Sequence, residues 1–283
     1  MPLKIKSYAK INLCLYLLGK RKDGLHEILT VMQMIDLCDD LTLSEIPQGM
    51  EIECDYPKVP LDSSNLAYKA TETFLKEAHL SCGVKIKIEK KIPLASGLGG
   101  GSSNAAFTLI GLNKLFHLRF SQEKLHKIAE KIGSDVPFFL YSGQAVAYGR
   151  GEKIKEIFMP KDYWIVLIKP NFELSTKEIY QKSKINLTKK GIFIKIYQDE
   201  KGFFDELRVW ENDLERVVIE SYPQIEQAKK ILREKGAIKV SLSGSGPTVY
   251  GIFKSKPTNK EVEGLKRGDW QFFLTRPIPP VVG

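Results

Sequence analysis

Several short stretches of the chain carry residues that could do chemistry. The first is PLASGLGGGSSNAA, residues 93–106, set between an alternating apolar stretch and the run AAFTLIGLNKLF. Glycine lets a backbone approach phosphate oxygens and adopt positive φ. A helix that opens straight after such a loop offers unpaired N–H groups and about half a positive charge to an anion. The spacing predicts a helix opening at Ser102 or Ser103, hence an anion site built from backbone. The loop of the P-loop NTPases ends in Gly-Lys-Ser/Thr, whereas Gly101 is followed here by Ser102 and Ser103. A flexible linker is the alternative; the strand before the loop and the apolar helix after it argue against that.

Three other stretches matter. In LKIKSYAKINLCLYLL, residues 3–18, apolar residues alternate with Lys4, Lys6, Tyr8, Lys10 and Asn12, so Lys10 and Asn12 project side by side from the polar face of a half-buried strand. In KIGSDVPFF, residues 131–139, Asp135 follows Gly133, a helix-ending glycine, and enters an apolar stretch, which costs free energy unless the carboxylate is paired. It reads either as a surface turn or as a group that takes a proton in a closed site. In SLSGSGPTVYGIF, residues 241–253, Gly244 and Gly246 separate two apolar alternating runs, as in a hairpin turn or a second site loop.

The elements that must position these residues follow from periodicity. GVKIKIEKKI (83–92) predicts a strand with Val84, Ile86 and Ile88 inward. Helices are predicted over 65–80, with Leu66, Ala70, Phe74 and Ala78 on one stripe, over 122–132, and over 223–235 between Pro223 and Gly236. YWIVLIKP (163–170) reads as a strand ended by proline. Strands and helices mix without a βαβ rhythm, which favours α+β over a doubly wound sheet. A change of character near 155–162 divides the chain into expected domains 1–158 and 159–283.

Composition bounds the function. With 283 residues, 43% hydrophobic and 27% charged, the chain can bury a core of its own. Cys14, Cys38, Cys54 and Cys82 form no C-x-x-C pair, which disfavours structural zinc and a disulfide framework and suits a reducing cytoplasm. The start MPLKIKSYAK is charged and alternating, unlike a secretion signal, and no apolar run reaches the roughly 18 residues of a membrane span. The net charge of +9 comes without a nucleic-acid-binding motif, so small anions are the expected ligands.

The segments at 7–41, 93–106, 133–152, 211–215 (ENDLE) and 243–253 together resemble the GHMP kinase superfamily. Within it, the GLGGGSSNAA form and the DG-x-HE stretch at Leu25 and His26 resemble the branch that phosphorylates the 2-hydroxyl of 4-diphosphocytidyl-2-C-methyl-D-erythritol, in the methylerythritol phosphate route to isoprenoid precursors. A GHMP kinase for another small alcohol is the alternative. The resemblance implies a two-domain α+β fold, with a ribosomal-protein-S5-domain-2-like N-terminal domain, a ferredoxin-like C-terminal domain and the active site in the cleft between them. It implies ATP with Mg²⁺. It assigns catalysis to Lys10 and Asp135. The loop Pro93, Leu94, Ala95, Ser96, Gly97, Leu98, Gly99, Gly100, Gly101, Ser102 and Ser103 holds phosphates, with Asn65 and Lys90 near the adenine. Asn12 lies beside the reacting end of the substrate, His26 binds the cytosine and Tyr180 packs on it. Ser243, Gly244, Ser245 and Gly246 shape the substrate end. Leu25 stands where tyrosine is common in this branch, and Met32 where some members carry an aromatic. The expected setting is cytoplasmic, as a monomer or weak homodimer, with no nucleic acid and no membrane.

Overall fold

The computed structural model describes residues 1–183, 194–258 and 268–278. The chain forms two compact units: Met1–Ala9, Leu37–Pro93 and Gly99–Tyr141 in the first; Lys10–Asp36, Leu94–Leu98 and the described part of Ser142–Gly283 in the second. Two long strands contribute to both, β1 (Leu3–Lys20) and β2 (His26–Ile46).

In the first unit, the later half of β2 pairs antiparallel with β4 (Gly83–Glu89), which pairs in parallel with β3 (Met50–Cys54). Val84, Ile86 and Ile88 are buried, as their alternation predicts. The helices are α1 (Leu66–Glu77), α2 (Gly100–Leu115) and α3 (Gln122–Ile132). Asn65 caps α1 by accepting from the Ala67 amide, and Ala67, Ala70, Thr71 and Phe74 form its buried stripe. Gly133 does end α3, but with φ −178 its backbone is extended, so the position does not require glycine. A 3-10 turn, Pro137–Leu140, follows and buries Phe138 and Phe139.

In the second unit, the earlier half of β2 pairs with β5 (Gln144–Gly149), which pairs with β6 (Lys153–Glu156). A four-stranded antiparallel sheet runs in the order β10 (Gln271–Thr275), β7 (Trp164–Lys169), β9 (Val249–Phe253), β8 (Lys239–Leu242). Helices α4 (Thr176–Lys182), α5 (Glu200–Val209), α6 (Glu215–Ser221) and α7 (Gln224–Glu234) belong to this unit. Ile225, Ala228 and Leu232 of α7 share one apolar cluster with Val166, Ile168 and Val249 of the sheet. Gly236, at φ +83, closes α7 as predicted.

The strand expected over residues 3–18 is present, but it is not half-buried. From Ala9 to Leu17 both faces are covered, and Lys10 and Asn12 are each only 4% exposed. Polar side chains tolerate this where they hydrogen-bond one another.

Candidate functional site

In the second unit, Lys10 Nζ donates to Asn12 Oδ1 at 2.5 Å. Both side chains lie on one face of β1, two residues apart, as the period-two pattern requires. Asn12 Nδ2 donates to Thr30 Oγ1 at 2.8 Å, and Thr30 Oγ1 donates to the Cys14 carbonyl at 2.6 Å. The backbone amide of Asn12 donates to Ser243 Oγ (3.4 Å), and Ser243 Oγ donates to the Gly97 carbonyl (3.0 Å). The Lys10 amide donates to the Leu98 carbonyl (2.9 Å), and the Thr248 amide to that of Ser96 (3.2 Å). Three separate stretches, Lys10–Asn12, Ser96–Leu98 and Ser243–Thr248, are thereby stitched together.

Glycine is required where they meet. Gly97 has φ +77, and a Cβ there would lie 2.2 Å from the Ser243 carbonyl oxygen. Gly244 has φ +58, and its Cβ would lie 3.1 Å from Asn12 Oδ1 and 3.4 Å from Lys10 Nζ. The loop backbone therefore packs directly on the lysine–asparagine pair. Asn212 holds that loop from below: its Nδ2 donates to the carbonyls of Leu242 and Gly244, both at 2.8 Å, while its Oδ1 accepts from the Leu214 amide. Glu215 adds an acceptor for the Leu242 amide (2.9 Å) and Ser241 Oγ (3.0 Å). Ser245 pairs with Thr176 at 2.9 Å. Gly246 is buried at φ +81.

In the first unit, α2 opens at Gly100, slightly before the predicted Ser102, with Gly99 as N-cap in the left-handed region at φ +72. No side chain caps this helix, as is also the case for α6 and α7, whereas α1, α3, α4 and α5 are capped by Asn65, Ser121, Ser175 and Asp199. An uncapped helix start following a glycine turn suits an anion such as a phosphate. Ser103 is fully buried; its hydroxyl donates to the Tyr8 carbonyl (2.6 Å) and lies 2.7 Å from Ser7 Oγ, so it anchors α2. Lys90 is likewise engaged: its ammonium pairs with buried Asp39, whose Oδ1 also accepts the Lys91 and Ile92 amides at 2.8 Å. Asn104 Nδ2 joins that carboxylate at 2.9 Å. Asn65 is spanned by its own capping bond and a bond to the Pro60 carbonyl. Asp135 is half-buried between Gly133 and the 3-10 turn.

Of the residues expected at the base, His26 and Tyr180 come together, with ring centroids 5.4 Å apart and planes tilted by 44°. Partial burial, with the nearby Lys20 ammonium, holds the His26 imidazole below its ordinary 6.5, so it is neutral at pH 7. Leu25 is 46% exposed in the turn between β1 and β2, whereas Met32 is 1% exposed in the sheet opposite Ala145. Pro93, Leu94 and Gly97 are half-buried, Ala95 and Gly101 exposed, and Ser96 and Leu98 buried. Sequence reasoning missed Thr30, Asn212, Asp39 and Asn104. All four lie within noted segments, but the partners of Asn212 are some thirty positions away, beyond any local pattern. Among the described residues, no group of three His, Cys, Asp or Glu could hold a metal ion, and no helix is long and apolar enough to cross a membrane.

The glycine turn into an uncapped helix, and the second glycine loop packed on a buried lysine, are the features that the resemblance to GHMP kinases predicts. The family models "GHMP kinases N terminal domain" and "GHMP kinases C terminal" match residues 65–143 and 198–264. The chain is 42% identical to the 4-diphosphocytidyl-2-C-methyl-D-erythritol kinase of Syntrophus aciditrophicus, over 98% of this chain and 99% of that one. It is 45% identical to the same-named protein of Caldanaerobacter subterraneus subsp. tengcongensis, over 89% and 88%. A crystal structure of 4-(cytidine 5'-diphospho)-2C-methyl-D-erythritol kinase superposes with a TM-score of 0.78 at 27% identity, covering 97% of this chain and 99% of that one. The chain belongs to the 4-diphosphocytidyl-2-C-methyl-D-erythritol kinase family of GHMP kinases.

Proposed function

We propose that the protein transfers the γ-phosphoryl group of ATP to the 2-hydroxyl of 4-diphosphocytidyl-2-C-methyl-D-erythritol, in the cytoplasm, as a monomer or weak homodimer. The observation that carries this reading is the buried Lys10–Asn12 pair under Gly244, together with relatives of that name over nearly the whole chain. The proposed domains are 1–158 and 159–283.

Phosphoryl transfer is mainly positioning and charge stabilisation. The Gly97–Ser102 backbone and the open start of α2 supply N–H donors to phosphate oxygens. ATP brings Mg²⁺ as its counter-ion, which offsets phosphate charge. Lys10 donates to the attacking hydroxyl and polarises it. Asp135 accepts the proton that this hydroxyl loses. Asn12 and the Ser243–Gly246 loop shape the acceptor end. His26, neutral at pH 7, meets the polar edge of the cytosine and Tyr180 covers a face of the ring. Labelled ATP offered with the cytidyl-diphosphate alcohol, homoserine and mevalonate tests the reading. Label is expected in the cytidyl compound; preferential labelling of homoserine or mevalonate overturns it.

A further inference from the structure

Thr30 lies inside the 7–41 segment but is none of its expected site residues, and its hydroxyl sits behind the lysine–asparagine pair. It is 1% exposed, and its proton is committed to the Cys14 carbonyl at 2.6 Å. A hydroxyl has one proton and two lone pairs, so toward Asn12 it can only accept. The carboxamide of Asn12 must then turn its Nδ2 to Thr30, at 2.8 Å, which leaves Oδ1 facing the Lys10 ammonium at 2.5 Å. With the amide reversed, Nδ2 would face the Lys10 ammonium and Oδ1 would face a lone pair of Thr30 Oγ1, whose proton is already given to Cys14. Donor would meet donor at a buried site, which is costly.

We propose that Thr30 is a positioning residue: through its one-way hydrogen bond to the Cys14 carbonyl it fixes the carboxamide of Asn12, and so directs the Lys10 ammonium. This rests on the functional reading above for its catalytic consequence, but its geometric part does not. Thr30→Val preserves shape and removes the hydroxyl; Thr30→Ser restores it. In the free protein, hydrogen exchange of the Asn12 side-chain amide, followed by NMR, is expected to accelerate about tenfold in Thr30→Val, the scale of one lost hydrogen bond, and to stay near wild type in Thr30→Ser. In steady state, Thr30→Val is expected to lower kcat by about tenfold or more with KM for ATP little changed, and Thr30→Ser to recover most of it. A melting curve distinguishes these effects from loss of fold. Unchanged amide exchange in Thr30→Val overturns the proposal, as does unchanged kcat, or a loss in Thr30→Ser equal to that in Thr30→Val. A wild-type protein inactive on the cytidyl substrate overturns the functional reading instead, and the amide exchange still decides the role of Thr30.

Discussion

A buried ammonium needs acceptors, and Asn12 Oδ1 supplies one to Lys10. The proposed mechanism divides the labour between the lysine and the glycine loop. If Lys10 serves the hydroxyl, Lys10→Met lowers kcat by about two orders of magnitude, the scale of losing one transition-state donor, and leaves KM for ATP near its original value. Asp135→Asn is expected to keep fold and ATP binding and to lower turnover by about two to four orders of magnitude, as for a lost general base. A variant that lost ATP affinity but kept kcat would return the lysine to the phosphates. His26 gives a pH signature. Its folded value lies below 6.5, so the unfolded chain takes up the proton first as pH falls. The stability it contributes is present above 6.5 and is lost below it. KM for the cytidyl substrate is expected to be flat above neutrality and to rise once the ring protonates, and His26→Gln should flatten that rise.

At the scale of elements, glycine loops hold the candidate site together. Gly97 combines a left-handed backbone with a Cβ position 2.2 Å from a carbonyl oxygen. Gly97→Ala must therefore displace either the Ser96–Leu98 segment or the Ser243 turn. A midpoint lower by at least several degrees is expected from thermal melting, with a raised KM for ATP; wild-type values for both would show that the contact is not tight. Much of this was legible beforehand. Alternation gave β1 and β4, and the glycine-serine loop announced α2, because local residue types dictate both. The burial of Lys10 and Asn12 was not legible, since a period-two polar face reads the same whether it meets water or another polar segment. The engagement of Lys90 with Asp39, and of Ser103 with Tyr8, was hidden for the same reason: each bond joins residues far apart in sequence.

At the scale of the whole molecule, family resemblance and geometry meet in the choice of acceptor. A methylerythritol without its cytidyl diphosphate offers the same hydroxyl but none of the groups that the proposed reading assigns to His26 and Tyr180. Binding energy from such remote groups contributes to orientation at the reacting centre, so a truncated substrate loses kcat as well as affinity. The most direct measurement is kcat/KM for transfer of labelled γ-phosphate from ATP to 4-diphosphocytidyl-2-C-methyl-D-erythritol, beside the same measurement with unsubstituted methylerythritol. Efficient phosphorylation of the 2-hydroxyl is expected in the first and a value lower by several orders of magnitude in the second. Equal values for the two acceptors, or no transfer to the cytidyl compound, would contradict the proposed function.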